Sequence, residues 1–147
     1  MLSPSLEDYL EEVYRLSLNN KEIRVLDIAT KLNVSSPSVV KALRKLNKQG
    51  YITYKKYEGI YLTEEGSNLG YLLVKRNTVL QEFLTVIYSQ CDKEEEAEAM
   101  EHYLSSPTIL AIENLVEFMN NNQDIQKSFM QFCKEKEKKH WSEGIEA

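Results

Sequence analysis

The spacing of the apolar residues changes at Gly50, and this constrains the fold more than any other feature of the chain. Before Gly50, in VLDIATKLNVSSPSVVKALRKLNKQG, apolar residues recur every three or four positions. Val25, Ile28, Ala29 and Leu32 mark one short helix and Asn33-Val34-Ser35 a tight turn. Val39, Val40, Leu43 and Leu46 carry the next helix to about Gln49. Ser36 reads as its N-cap, Pro37 as its first helical residue and Gly50 as its stop. After Gly50, YITYKK alternates and is rich in β-formers, Tyr57-Glu58-Gly59 is a turn, and IYLT returns as the second arm of a hairpin. Two short helices around a tight turn, then a hairpin, predict a winged helix-turn-helix.

Helical periodicity governs the rest of the chain. Leu6, Tyr9, Leu10, Val13 and Leu16 predict a helix over about 5–18, with Ser5-Leu6-Glu7-Asp8 as a capping-box-like start. Thr63-Glu64-Glu65 opens a long helix over about 63–90, and a fifth covers about 93–104. Ser106-Pro107 repeats the Ser-Pro start signal for a sixth, ending near Asn120-Asn121-Asn122. A seventh fits about 123–139, with a frayed tail beyond Lys139. The expected fold is mainly α: an N-terminal winged helix-turn-helix with a two-stranded β-hairpin wing over 1–70, then an all-helical domain over 71–147. Only five Gly and three Pro in 147 residues agree with a helical protein.

Composition narrows the function classes. No stretch reaches the roughly 18 apolar residues of a membrane span, so no membrane partner is expected. MLSPSLEDYL has no basic region and no apolar run, so no secretory signal is expected. Cys91 and Cys133 are unpatterned thiols without a CxxC, which suits a reducing cytoplasm and argues against a thiolate zinc site. The net charge of −5 argues against nucleic acid, but its distribution does not. Lys21 to Leu62 holds nine Lys/Arg against three Asp/Glu, a local +6, whereas Ser67 onward holds eight against fourteen, a local −6. That asymmetry marks a basic binding module on an acidic body.

Duplex DNA is the ligand this module suits. One helix fits the major groove, and residues near its N-terminus can reach base edges. Ser35, Ser36, Pro37, Ser38 and Lys41 lie at that end, small or polar, where hydroxyls, amide N–H groups and the helix dipole can meet phosphate. Arg44, Lys45 and Lys48 add charge, and Lys55 and Lys56 on the hairpin would contact backbone beside the groove. The blander alternative is a helical bundle with a solvated Lys face.

The segment EAEAMEHYL poses a separate question, because its acids have no basic neighbours. Residues three and four apart share a helix face, so Glu98, Glu101 and His102 point one way, as do Asp8 and Glu11 on the first helix. If the two helices meet, these residues make an oxygen-rich pocket with one imidazole, suited to manganese or ferrous iron. Each also has a simpler reading. Asp8 sits where a capping acid would, Glu11 and Glu12 favour the helix dipole, Glu94, Glu95 and Glu96 are solvated first-turn acids, and His102 fits a core histidine.

SPSLEDYLEEVYRL, VLDIATKLNVSSPSVVKALRKL, YITYKKYEGIYLT and AEAMEHYLS together resemble the diphtheria toxin repressor (DtxR) family, specifically the MntR-like manganese transport regulators. The resemblance runs from Pro4 to about Gln131, without the SH3-like C-terminal domain that larger relatives append. It implies a homodimer whose helical region serves dimerisation, and a metal-dependent repressor acting on a palindromic operator, with metal uptake genes as targets. It also implies that Asp8, Glu11, Glu98, Glu101 and His102 match manganese ligands; iron-responsive relatives carry sulfur-containing residues at the positions of Asp8 and Glu101. Mn2+ is the expected ion, with Fe2+, Zn2+ or no ion as alternatives. One position departs from the pattern: the sixth ligand, a histidine in the branch, is Asn77 here. Asn77 either binds weakly, reduces a binuclear site to one ion, or marks a winged-helix regulator that has lost metal control. A di-metal carboxylate enzyme is not expected, because its Glu-x-x-His pairs are missing: Ala99 stands three residues before His102. A dimerising protein-interaction module is a further alternative.

Overall fold

A computed structural model of the chain describes residues 2–19, 21–55 and 57–142. The chain divides into two compact units, residues 1–75 and 76–147. No described helix is long and apolar enough to cross a membrane.

The first unit holds α1 (Pro4–Ser17), α2 (Val25–Leu32), α3 (Ser36–Lys48), β1 (Ile52–Lys55), β2 (Gly59–Leu62) and the first half of α4 (Glu64–Val86). The tight turn between α2 and α3 depends on Asn33, which takes the left-handed conformation at φ 53° and ends α2. Asn tolerates that region better than most residues. The hairpin is antiparallel, pairing Ile52 with Leu62 and Tyr54 with Ile60. Its inner face buries Ile52 and Ile60, and its outer face exposes Thr53, Lys55 and Tyr61.

One core unites these elements. Leu10 and Val13 of α1, Ile28 of α2, Val39, Leu43 and Leu46 of α3, and Ile52 of the hairpin are all buried in it. Each large apolar side chain buried this fully contributes about 1.5–3 kcal/mol. Helix α4 joins the core through Leu73, and glycines stand where it comes nearest to its neighbours, Gly66 against Tyr51 and Gly70 against Tyr14.

The second unit holds the rest of α4, then α5 (Lys93–Tyr103), α6 (Ser106–Asn120) and α7 (Gln123–Ser142). Leu80, Leu84 and Ala97 form one buried cluster, and Val86, Val116 and Met119 form another. Leu110, Phe118, Ile125, Phe132 and Trp141 remain exposed.

Several element ends differ from the sequence expectation. The N-caps are Ser3, Ser35 and Ser105, not Ser5, Ser36 and Ser106. In each Ser-Ser-Pro pair the first serine caps by accepting from the backbone N–H three residues on, that of Ser38 or Thr108. Ser35 Oγ is 2.8 Å from Ser38 Oγ, and Ser105 Oγ donates to Thr108 Oγ1 at 3.1 Å. Helix α4 stops at Val86 rather than near 90. Tyr88 takes φ 63° there, while Ser89 N–H donates to the Leu84 carbonyl and Tyr88 N–H to that of Thr85. This is a Schellman end with tyrosine where glycine usually sits. Helix α7 continues through His140 to Ser142, and the rest of the tail expected to fray, 143–147, lies outside the described residues.

Candidate metal centre and nucleic-acid interface

Helix α3 is divided lengthwise. Val39, Ala42, Leu43 and Leu46 are buried, whereas Ser35, Ser36, Pro37, Ser38, Lys41, Arg44, Lys45 and Lys48 are exposed. Ser36, Pro37, Val40, Lys41, Arg44 and Lys45 line a concave surface. Ser35 Oγ accepts from Ser38 N–H at 3.3 Å, which fixes the start of the helix. No acid occupies its first turn, so the positive end of its dipole is left for an anionic partner. On the wing, Lys55 is exposed and only loosely paired with Glu58, at 4.0 Å. An exposed pair of that length holds a lysine weakly. Lys56 lies outside the described residues.

The candidate metal ligands on α1 are Asp8 and Glu11, both half-buried. Glu11 pairs with Arg15 one turn on, at 3.2 Å. Next to Glu11 in the chain, Glu12 turns inward and is buried. Burial pushes the Glu12 carboxyl above its ordinary value, against the opposing pull of Lys31 and Arg15.

In the second unit the centre of the candidate site is Glu101, only 2% exposed. Its Oε1 lies 3.7 Å from His102 Nε2. Its Oε2 accepts a hydrogen bond from Asn77 Nδ2 at 3.1 Å. Asn77 Oδ1 in turn accepts from Gln81 Nε2 at 2.8 Å. The structure thus brings Asn77, Glu101 and His102 together, while Glu98 is exposed on the same helix. Gln81 is not among the residues that the sequence pattern singles out. The one signal for it is its place one turn after Asn77 on α4, where side chains meet.

These residues fit a divalent cation. A carboxylate this deeply buried is costly unless charge or hydrogen bonds compensate it. Asn77 supplies one neutral donor, and a cation beside Glu101 and His102 would supply charge. Carboxylate and imidazole without thiolate suit a hard or borderline ion.

Comparison with known proteins agrees with both halves. Residues 1–60 match the family model described as iron dependent repressor, N-terminal DNA binding domain. Residues 63–130 match iron dependent repressor, metal binding and dimerisation domain. The chain is 43% identical over 130 residues to the HTH-type transcriptional regulator MntR of Lysinibacillus sphaericus, covering 86% of this chain and 92% of that one. It is 37% identical to MntR of Bacillus velezensis, covering 93% and 97%. Among solved structures it resembles the manganese regulator SloR, with TM-score 0.70 and 28% identity over 80% of this chain. A manganese-dependent transcriptional repressor in complex with manganese matches with TM-score 0.67 and 25% identity over 77% of this chain. The chain spans about half the length of these two solved relatives, 55% and 53%. With both family models matched and MntR relatives similar over nearly their whole length, the chain belongs to the diphtheria toxin repressor family of iron dependent repressors, in its MntR-like branch.

Proposed function

We propose that the protein is a metal-dependent transcriptional repressor that acts as a homodimer on a palindromic duplex operator, with Mn2+ as corepressor. Residues 1–70 are its DNA-binding domain and 71–147 its metal-binding and dimerisation domain. The observation that carries this reading is the buried Glu101 carboxylate set against His102 in the unit that matches a metal-binding family model. Asp8, Glu11, Glu98, Glu101 and His102 are the ligands we assign, and Asn77 stands where the six-residue pattern has its remaining ligand. Their oxygen-rich, thiolate-free chemistry suits a hard ion such as Mn2+. The ion supplies positive charge that lets several carboxylates share one place without mutual repulsion.

In this reading Asp8 and Glu11 on α1, sharing an ion with Glu101 and His102 on α5, restrict the orientations open to the winged unit. Two such units in a dimer then match half-sites about one helical turn apart more often. The gain is bounded by how much better the ion binds the DNA-ready state than the others. Ser35, Ser36, Pro37, Ser38, Lys41 and Arg44 meet the groove and its phosphates, and Lys55 and Lys56 the flanking backbone. Metal uptake genes are the expected targets, and the cytoplasm, where the chromosome is, the place of action.

One observation favours a second reading. Asn77 already donates a hydrogen bond to Glu101, which partly compensates that carboxylate without an ion. A winged-helix regulator with lost metal control would look like this. Calorimetric titration with Mn2+ and a gel shift with and without chelator separate the two. The first reading predicts saturable binding and a chelator-sensitive shift, and a shift indifferent to chelator would refute it.

A further inference from the structure

We propose that Asn77 is a positioning residue for Glu101 and not a ligand to the ion. The inference rests on the metal reading above and assigns one side chain within it.

Hydrogen-bond polarity sets the role of this side chain. An ionised carboxylate can only accept, so the atom that Asn77 turns toward Glu101 Oε2 must be its NH2 nitrogen. An amide nitrogen has no lone pair to give a metal. The oxygen of the same amide then faces the other way, where Gln81 Nε2 donates to it at 2.8 Å. Gln81 lies one turn further along α4, and both side chains are half-buried. The relay therefore runs one way, from Gln81 through Asn77 to Glu101.

Inverting the Asn77 amide to present oxygen would break its bond to Glu101 and, unless the Gln81 amide inverted as well, the one to Gln81. It would also place two acceptors, Oδ1 and Oε2, against each other. The amide is therefore held with its nitrogen inward, and the position that supplies imidazole in the branch supplies an N–H here. Asn77 holds one oxygen of Glu101, Oε2, while the other, Oε1, lies 3.7 Å from His102 Nε2. A group that hydrogen-bonds to a metal ligand in this way sets the ligand's orientation. The protein thus gives its ion one ligand fewer than the six-residue pattern, with a more rigid carboxylate in return.

Two measurements test this. In the metal-free protein, 15N-edited NMR should show the Asn77 side-chain NH2 protected from solvent exchange. The same signals should survive loading with diamagnetic Zn2+ and exchange faster in Gln81→Ala. Calorimetry with Mn2+ should show Gln81→Ala and Asn77→Ala each weakening binding by roughly 10- to 100-fold with unchanged stoichiometry, the range for residues behind a ligand. Gln81 is expected to matter because it orients Asn77, not because it touches the ion. If Asn77 were a ligand through oxygen, Gln81→Ala would free that oxygen and leave affinity unchanged or raised. That result, or loss of the protected NH2 signals on Zn2+ loading, overturns the proposal alone. Wild-type protein that shows no saturable Mn2+ uptake overturns the metal reading, and the proposal with it.

Discussion

The Cβ that Gly66 lacks would fall 1.7 Å from the carbonyl oxygen of Tyr51. That carbonyl accepts from Thr63 N–H at 3.1 Å, while Thr63 Oγ1 donates to the Gly50 carbonyl and accepts from Gly66 N–H. The end of the wing and the start of α4 are thus bound into one junction with no space for a side chain. Gly66→Ala is expected to destabilise the protein by about 3 kcal/mol, because backbone and not a flexible side chain must yield. Denaturant melts of wild type and variant check this, and equal midpoints would contradict the tight junction.

Lys41 is exposed one turn into α3, on the concave basic surface. Lys41→Ala is expected to weaken operator binding and to reduce the slope of log K against log salt by about 1 for each phosphate that the lysine neutralises. Anisotropy titrations at several salt concentrations measure it. An unchanged slope would mean that Lys41 neutralises no phosphate.

Glu12 gives a pH dependence distinct from the metal. Burial raises its folded-state pKa above the unfolded one, so between those two values the native state binds more protons. Stability contributed by the protonated form is therefore present at low pH and lost as pH rises through the folded value. Glu12→Gln should stabilise chelator-treated protein near neutrality, by roughly 2–4 °C in Tm for each kcal/mol released, with the difference vanishing in acid. A variant less stable than wild type at neutral pH would show that the attraction of Lys31 and Arg15 outweighs burial.

Much of the fold is legible in the sequence because local signals agree with each other. The change of period at Gly50 places α3 and the hairpin, and Asn33 marks the turn between α2 and α3. What is not legible depends on atoms that periodicity does not report. Two adjacent serines both look like caps, and only the backbone shows that Ser35 and Ser105 take the cap while Ser36 and Ser106 enter the helix. The stop of α4 at Val86 is hidden because a tyrosine, Tyr88, takes the left-handed position without glycine or asparagine to announce it. At the candidate site, spacing shows that Glu98, Glu101 and His102 share a side of α5. It does not show that Glu101 is buried while Glu98 is exposed, nor that Gln81 fixes the direction of the Asn77 amide.

Glu101 is the residue on which the metal reading depends most. Glu101→Ala should lower Mn2+ affinity by about 100-fold or more, beyond the usual loss for a residue behind the ligands. Operator affinity in Mn2+ should fall with it, while the helical content by circular dichroism stays the same. His102→Ala should behave alike. Either variant binding operator as wild type does, with Mn2+ making no difference, would contradict the coupling.

The most direct test of the account is the affinity of the dimer for a duplex selected from a randomised pool, measured by anisotropy in Mn2+ and again in chelator. Coupling between an effector site and a ligand site usually amounts to roughly 5- to 150-fold, and a gain in that range on adding Mn2+ is predicted here. Equal affinity in the two conditions, with wild-type protein folded in both, would contradict the claim that a bound cation controls DNA recognition.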